Sequence, residues 1–495
     1  MKGSAELIEY LLRQANRGHD VQNCKIAVPK ENVNLSRLAT RYAHAFSHAL
    51  KEKQFVVICN VSVPLTQAIS IGAWMAGHPV AYINPALTKT QLKNVLTKLG
   101  TSLNIGRPDC LSLQEYQKDW LFPDPDEDGI DNLFDRLQPP KSEDPFVPYD
   151  WQDDECAVVA FTSGTTGMPK GVCHSLGNLI RSTELFIRHY SIEPNDRILT
   201  LAPSYSVSGF RKLVLVPLLS GCHLVKFPNE PKLEDVLDIF SSEKPTVFDS
   251  GPTFIRQIAM LADKLDDELS SIRVFLSSGA KLENRSRVRL WEKRRIPVLD
   301  GYGMTETGGL VIAENIENYN PASTSIGKVC SGVTVELTEV DGVSDQELGS
   351  GQIRVYSQNL FLGYLGKPLA RKRYLETGDL AVQDEAGNIS IRGRLDHGVK
   401  ATSGFWLFPQ AVEQLLVNRS DVDDAHVRSE YDQYGRGVLR AKVVPVNPET
   451  VDDGWIANLN QDIKDQLGTD YKATEVEIAS TIPRTALGKI IKGSC

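Results

Sequence analysis

A chain of 495 residues exceeds the size at which one hydrophobic core stops growing, so at least two domains are expected. Its 54 basic against 63 acidic residues leave a net charge of −9, which argues against the basic face that nucleic acid requires, and 41% apolar and 24% charged residues describe an ordinary globular protein. No apolar run is long enough to cross a bilayer, Glu6 and Glu9 interrupt what a signal peptide would need, and the eight cysteines lack C-x-x-C spacing; a cytoplasmic, reducing location without structural disulfide or zinc is expected.

Residues 54–60 (QFVVICN) read as a buried strand, 64–76 as a helix with Pro64 at its start and Gly77 past its end, and 80–83 as the next strand. That β-α-β order predicts a parallel sheet. Asn84 and Pro85 turn the chain into a second helix over 88–99. Residues 121–155 carry twelve acidic side chains among six prolines and read as a solvated connection. Short apolar runs at 214–217, 246–248, 274–276 and 297–299 read as further α/β strands, whereas 351–356 and 388–392 alternate with period two and predict an antiparallel subdomain. A helix over 408–417, a strand over 439–444 and a helix over 455–467 make a small α+β unit of about 100 residues, the size of a separate domain.

The densest chemical signal is FTSGTTGMPKGV at 161–172. Its glycines let successive N–H groups converge on one anion, Thr162, Ser163, Thr165 and Thr166 add hydroxyls, and Lys170 adds a point charge. This is a phosphate-gripping composition but not a Walker A loop, because Gly171 follows Lys170 where that motif needs a hydroxyl. Four further stretches stand out: DGYGMTET at 300–307, YLETGD at 374–379, GRLD at 393–396 and PRTALGK at 483–489.

Taken in this order, the five stretches resemble the adenylate-forming superfamily: acyl- and aryl-CoA ligases, carrier-protein adenylation domains and luciferases. The resemblance implies an α/β fold with a large N-terminal domain of parallel and mixed sheets flanked by helices plus the antiparallel subdomain, over residues 1–393, a hinge at 394–396 and a small mobile α+β C-terminal domain over 397–495. It implies ATP and Mg²⁺, and activation of a small carboxylic acid as acyl-adenylate with loss of pyrophosphate. Transfer to a thiol follows, on CoA or on the phosphopantetheine of an acyl carrier protein.

Carried over residue by residue, the ATP-binding set is Thr162, Ser163, Gly164, Thr165, Thr166, Gly167 and Lys170 for the phosphates, with Thr305 at the α-phosphate. Gly279, Ala280, Asp300, Gly301, Tyr302, Gly303 and Met304 serve the adenine, and Asp379 and Arg394 the ribose. Glu306 is the implied metal ligand, Asp396 the hinge residue and Lys489 the lysine that bridges carboxylate and α-phosphate; Thr305, Glu306 and Lys489 are thus the expected catalytic residues. The substrate pocket is expected around Tyr205, Ser206, Asp249 and Gly303. Two departures from the pattern matter. Ser206 stands where many CoA ligases have histidine, and the loop 397–409 after the hinge is about one residue long. The aspartate that holds an amino-acid ammonium is absent from its usual motif, but Asp249 could supply that charge from another wall, so an amino-acid to carrier-protein ligase is the second reading. A nucleotide-binding homologue that has lost ligation is the third.

Overall fold

A computed structural model describes residues 8, 35–106, 120–121, 137, 146–162, 168–225, 231–340, 350–401, 403, 406–473 and 475–483. Among these residues two seven-stranded sheets and a four-stranded sheet carry the chain as far as Arg394. The first sheet runs Gly363–Tyr364, Lys170–His174, Val158–Thr162, Val80–Tyr82, Phe55–Cys59, Ser102–Gly106, Trp120–Leu121. It is parallel from Val158–Thr162 outward to Trp120–Leu121, as the β-α-β reading requires. The helices Val63–Met75 and Lys89–Leu99 lie near the predicted bounds, the second opened by a capping box between Thr88 and Gln91.

The helix Leu35–Ala49 rests on Val63–Met75 at Gly72, where a Cβ would lie 2.5 Å from that of Tyr42. Such an approach brings the two backbones together over a core that includes Tyr42, Phe46, Ile69 and Trp74.

The second sheet runs Lys328–Val329, Gly309–Ala313, Val298–Met304, Val274–Ser277, Val247–Ser250, Arg197–Thr200, His223–Leu224, and its last five strands are parallel. Strands buried on both faces read as continuous apolar runs, which is why three of them were visible in the sequence. Residues 214–217 are a correction: they are helical, Arg211–Leu215 wound as a π-helix and Val216–Ser220 as an α-helix that stops at Gly221 in the left-handed region, φ 77°. Every residue from Arg211 to Val216 is buried, so the segment has no polar face to reveal a helical period.

Thr334–Thr338, Ser350–Tyr356, Leu375–Gln383 and Ile389–Arg394 form the predicted antiparallel sheet. The described end of the acidic connection differs from expectation. Trp151 is buried and donates its indole N–H to the carbonyl of Trp74 at 2.9 Å, while Glu155 accepts from Lys53 and Tyr149. A row of acids in sequence does not exclude an anchoring tryptophan between them.

From Val399 onward the chain gathers its own apolar cluster around Leu407, Val412, Leu439 and Leu459, built on the helices Pro409–Val417 and Asp453–Leu467 and the sheet Val422–Tyr431, Gly437–Pro445, Glu475–Ile478. Arg285 reaches across to it, donating to the Asp423 carbonyl at 2.7 Å, and Arg256 stands 3.8 Å from Asp424.

Candidate nucleotide site

Parallel strands of the second sheet end side by side, and their registers align Ser250 with Ser277 and Ser277 with Asp300 on one face. Ligands of open α/β sheets sit beyond such carboxyl ends. A cavity of about 420 Å³ lies there, lined by Ser277, Gly279, Ala280, Asp300, Tyr302 and Asp379 among others. Its volume is that of a small-molecule site, roughly 300–1,000 Å³.

Asp300 is 4% exposed, and neither carboxylate oxygen accepts a hydrogen bond from a described residue. A buried acceptor left open is expensive unless a ligand donates to it. Below it lies a closed charge network: Arg287, fully buried, donates to Glu314 at 2.5 Å and stands 3.7 Å from Asp300. Burial raises the Asp300 pKa against the pull of Arg287 and Lys281, and burial likewise lifts Glu314 to about 7. Gly279, with φ 93°, keeps the opposite wall free of a side chain.

The antiparallel sheet supplies the other side. Asp379 and Arg394 face each other as register partners, with Arg394 Nη1 donating to Asp379 Oδ1 at 3.1 Å. The Tyr302 hydroxyl donates to Asp379 Oδ2 at 2.5 Å, so a residue from the second sheet is tied to one from the third. Arg394 Nε donates to Asp396 Oδ1 at 3.0 Å; burial opposes the charge on Asp396, but this bond holds its carboxyl below the ordinary range. The fourth wall comes from Gln410, Glu413 and Gln414 of the helix Pro409–Val417.

Thr162 and Lys170 are register partners at the open end of a hairpin, so the loop between them is held at its base. Residues 163–167 of that loop and Lys489 lie outside the described residues. Lys170 Nζ stands 6.0 Å from the ring of Tyr364, whose hydroxyl donates to Glu306 Oε1 at 3.0 Å. His174, on the same hairpin, bonds the Thr305 carbonyl through Nε2 at 2.8 Å, and burial pushes its pKa down to about 4, which keeps the ring neutral and Nε2–H the donor. The hairpin and the turn of Thr305 and Glu306 are therefore bound to each other. Tyr364 and His174 were missed in the sequence, because their partners are 58 and 131 residues away and neither carries a local motif.

The structure thus gathers Gly279, Ala280, Asp300, Gly301, Tyr302, Gly303, Met304, Asp379 and Arg394 around one cavity. Tyr205, Ser206 and Asp249 do not line it. Ser206 caps a short helix, accepting from the N–H of Gly209 at 2.9 Å, and Tyr205 packs on the first core. Asp249 is buried with one oxygen on Lys212 and the other on Thr200, both at 2.5 Å.

The family model for AMP-binding enzymes matches residues 33–365. The chain belongs to the AMP-binding enzyme family. An uncharacterized acyl–CoA ligase of Bacillus subtilis, YtcI, is 31% identical over 70% of the chain, and 4-coumarate–CoA ligase 3 of Arabidopsis thaliana is 28% identical over 85% of it and 78% of its own length. The alignment spans 66% of YtcI, just under two thirds of that relative. Among solved structures, an anthranilate CoA ligase in complex with anthranoyl-AMP superposes with TM-score 0.81 at 20% identity, over 97% of this chain and 95% of the other. The fold is therefore that of an AMP-binding enzyme, including the part of the chain beyond the family match. Among the described residues no helix is long and apolar enough to cross a membrane, and no group of three or more His, Cys, Asp and Glu forms a metal centre.

Proposed function

We propose that this chain uses ATP to convert a small carboxylic acid to its acyl-adenylate, releasing pyrophosphate, and then passes the acyl group to a thiol. The observation that carries this reading is the cavity that joins the open acceptors of Asp300 to the Tyr302–Asp379–Arg394 clamp. An adenine amino group answers the first, and the second offers a charged acceptor to ribose hydroxyls, whose bonds to a carboxylate exceed neutral ones in strength. Gly279 and Ala280 line the same cavity as the Tyr302 ring and add little side-chain bulk to crowd a base. CoA is the favoured acceptor, since YtcI and the Arabidopsis relative carry CoA-ligase names; the phosphopantetheine of a carrier protein is the other acceptor of the same chemistry.

A carboxylate is a poor electrophile because its own charge repels nucleophiles and its leaving group would be oxide. Attack by its oxygen on the α-phosphate of ATP breaks the bond to pyrophosphate and leaves AMP as a good leaving group. The chain must hold the two in line and neutralise the charge that develops. Thr162, Ser163, Thr165 and Lys170 would take the outer phosphates and Thr305 the α-phosphate, while Lys489 would bridge carboxylate and phosphate. Glu306 is buried beside the phosphate hairpin, and a single carboxylate suits Mg²⁺, which takes its other ligands from phosphate and water. When bound there, the ion would neutralise phosphate charge.

We further propose residues 1–393 as the core domain, 394–396 with Asp396 as a hinge, and 397–495 as the moving cap. The separate apolar cluster beyond Val399 supports this division. An amino acid is disfavoured as substrate, because Asp249 does not line the cavity and its charge is already paired with Lys212 at 2.5 Å. The test is mass spectrometry of the chain with ATP, Mg²⁺ and a mixed carboxylic-acid library. An acyl-adenylate and pyrophosphate are expected; ADP with an acyl phosphate contradicts the reading.

A further inference from the structure

Arg287, on the helix Asn284–Arg294, has none of its surface exposed and is among the largest side chains so placed. Its fork is fixed in place. Nη2 donates to Glu314 Oε1 at 2.5 Å and Nη1 to the Ser323 carbonyl at 3.1 Å, with the Tyr319 ring 5.6 Å from its carbon. Toward Asp300 it presents charge alone, since Nη1 stands 3.7 Å from Oδ2, beyond hydrogen-bond length. Glu314 in turn ties the Asp300 backbone. Its Oε2 accepts from the Asp300 N–H at 2.9 Å, and its own N–H donates to the Asp300 carbonyl at 3.1 Å. Asp300 is thus held by its main chain while neither carboxylate oxygen has a described donor. Asp300 lines the nucleotide cavity; Arg287 and Glu314 do not.

Other elements act on the same carboxyl. Lys281, ahead of that helix, donates to the Thr324 carbonyl and adds positive potential, whereas Glu283 opposes it, although Arg256 pairs with Glu283 at 3.2 Å. Ser277 is its neighbour in the strand register, and Tyr190, whose hydroxyl lies beside Gly301, is kept protonated by burial. Burial pushes the Asp300 carboxyl up, and Arg287 leads the groups that pull it back down. An arginine that supplies charge without filling the acceptor sites leaves both oxygens to a ligand.

We infer that Arg287 sets the base selectivity of this site: as a positioning residue that never touches the nucleotide, it keeps Asp300 an ionised, unoccupied acceptor, so that a purine carrying an exocyclic amino group is admitted and one without it is refused. This rests on the ATP reading above. A charged acceptor buried without its donor costs more than a neutral one, and a site built around a polar contact rejects the analogue that lacks it. Without Arg287, Asp300 and Glu314 would share one buried site with no guanidinium between them, a situation that favours their neutral forms.

The probe is purine riboside triphosphate, which is ATP without its amino group. Binding of both nucleotides is measured by calorimetry with Mg²⁺ and no acid, and wild type should bind ATP at least about 10-fold more tightly. Arg287→Gln, which keeps polar contacts but not the charge, should bring that ratio toward one. Arg287→Lys, which keeps the charge, should retain most of it. The wild-type ratio should also fall on acidification, as Asp300 takes a proton. Should Arg287→Gln not fold, Arg287→Lys decides through this profile, because its shorter reach should move the loss of preference to higher pH.

Equal weakening of both nucleotides by Arg287→Gln would make Arg287 merely structural and overturn the inference. A wild-type ratio near one, or an unmoved profile in Arg287→Lys, overturns it too. None of these touches acid activation, which is read separately as pyrophosphate release from ATP with the acid library. A wild-type chain that binds neither nucleotide overturns the ATP reading and this inference together. Preference for ATP that depends on Arg287, without pyrophosphate release, overturns acid activation and leaves this inference supported.

Discussion

At the scale of single residues, Asp379 tests the ribose assignment. It closes two charge-assisted bonds, from Tyr302 and Arg394, at a position that burial makes costly for a carboxylate. Asp379→Ala should raise the KM for ATP by about 10–100-fold, since bonds to a charged group contribute about 1.5–3 kcal/mol each. Steady-state kinetics against ATP checks this, and an unaltered ATP dependence would reduce Asp379 to a turn residue.

His174 gives a pH prediction. Its folded pKa of about 4 lies below the ordinary 6.5, so between these values the unfolded chain binds more protons and stability rises with pH. Acidification from pH 7.5 to 5 should cost about 2 kcal/mol through this group alone. Denaturant unfolding of wild type and His174→Gln at both pH values isolates it: the variant should lose less on acidification. Equal losses would mean that burial does not hold the ring neutral.

Of the residues that line the cavity, Asp300, Tyr302, Asp379 and Arg394 were legible, because they sit in short dense motifs. The burial of Arg211 and Lys212 was not read, though two cations beside an apolar run are a signal that something must compensate them.

Among the elements, strands and amphipathic helices were readable where a period existed. The helices Lys89–Leu99 and Asp453–Leu467 lie close to their expected spans, and the strand Val298–Met304 simply runs five residues further than its apolar start. The extension follows from pairing with Gly309–Ala313, a contact no local pattern announces. The misread segment 214–217 fails for the opposite reason, since burial all round erases the distinction between helix and strand.

The junction of Leu35–Ala49 with Val63–Met75 yields a prediction at this scale. In an exposed helix Gly→Ala stabilises by about 0.5–1 kcal/mol. At Gly72 the new methyl would meet Tyr42 Cβ at 2.5 Å and the Ala39 carbonyl at 2.8 Å, so Gly72→Ala should instead destabilise by overpacking, about 1–3 kcal/mol. Urea unfolding decides the sign, and a stabilised variant would show that the two helices separate at little cost.

For the whole molecule, the decisive feature is that one cavity draws its walls from the second sheet, the antiparallel sheet and the helix Pro409–Val417 beyond Asp396. A nucleotide bound there would be coupled to the position of the C-terminal unit, which Arg256 and Arg285 contact through Asp424 and Asp423. If that unit brings Lys489 to the reacting carboxylate only for the first half-reaction, Lys489→Ala should slow adenylation by about 10²–10³-fold. Thioester formation from chemically made acyl-adenylate should proceed near the wild-type rate, and equal slowing of both steps would make Lys489 structural.

The central claim is that a carboxylate oxygen attacks the α-phosphate of ATP held in this cavity. Oxygen transfer tests it most directly. An acid turned over by the chain is labelled with ¹⁸O in its carboxyl group and incubated with ATP, Mg²⁺ and the thiol, and the phosphorus products are weighed by mass spectrometry. The account predicts AMP carrying one ¹⁸O and unlabelled pyrophosphate. Label in inorganic phosphate together with ADP, or unlabelled AMP, would contradict it.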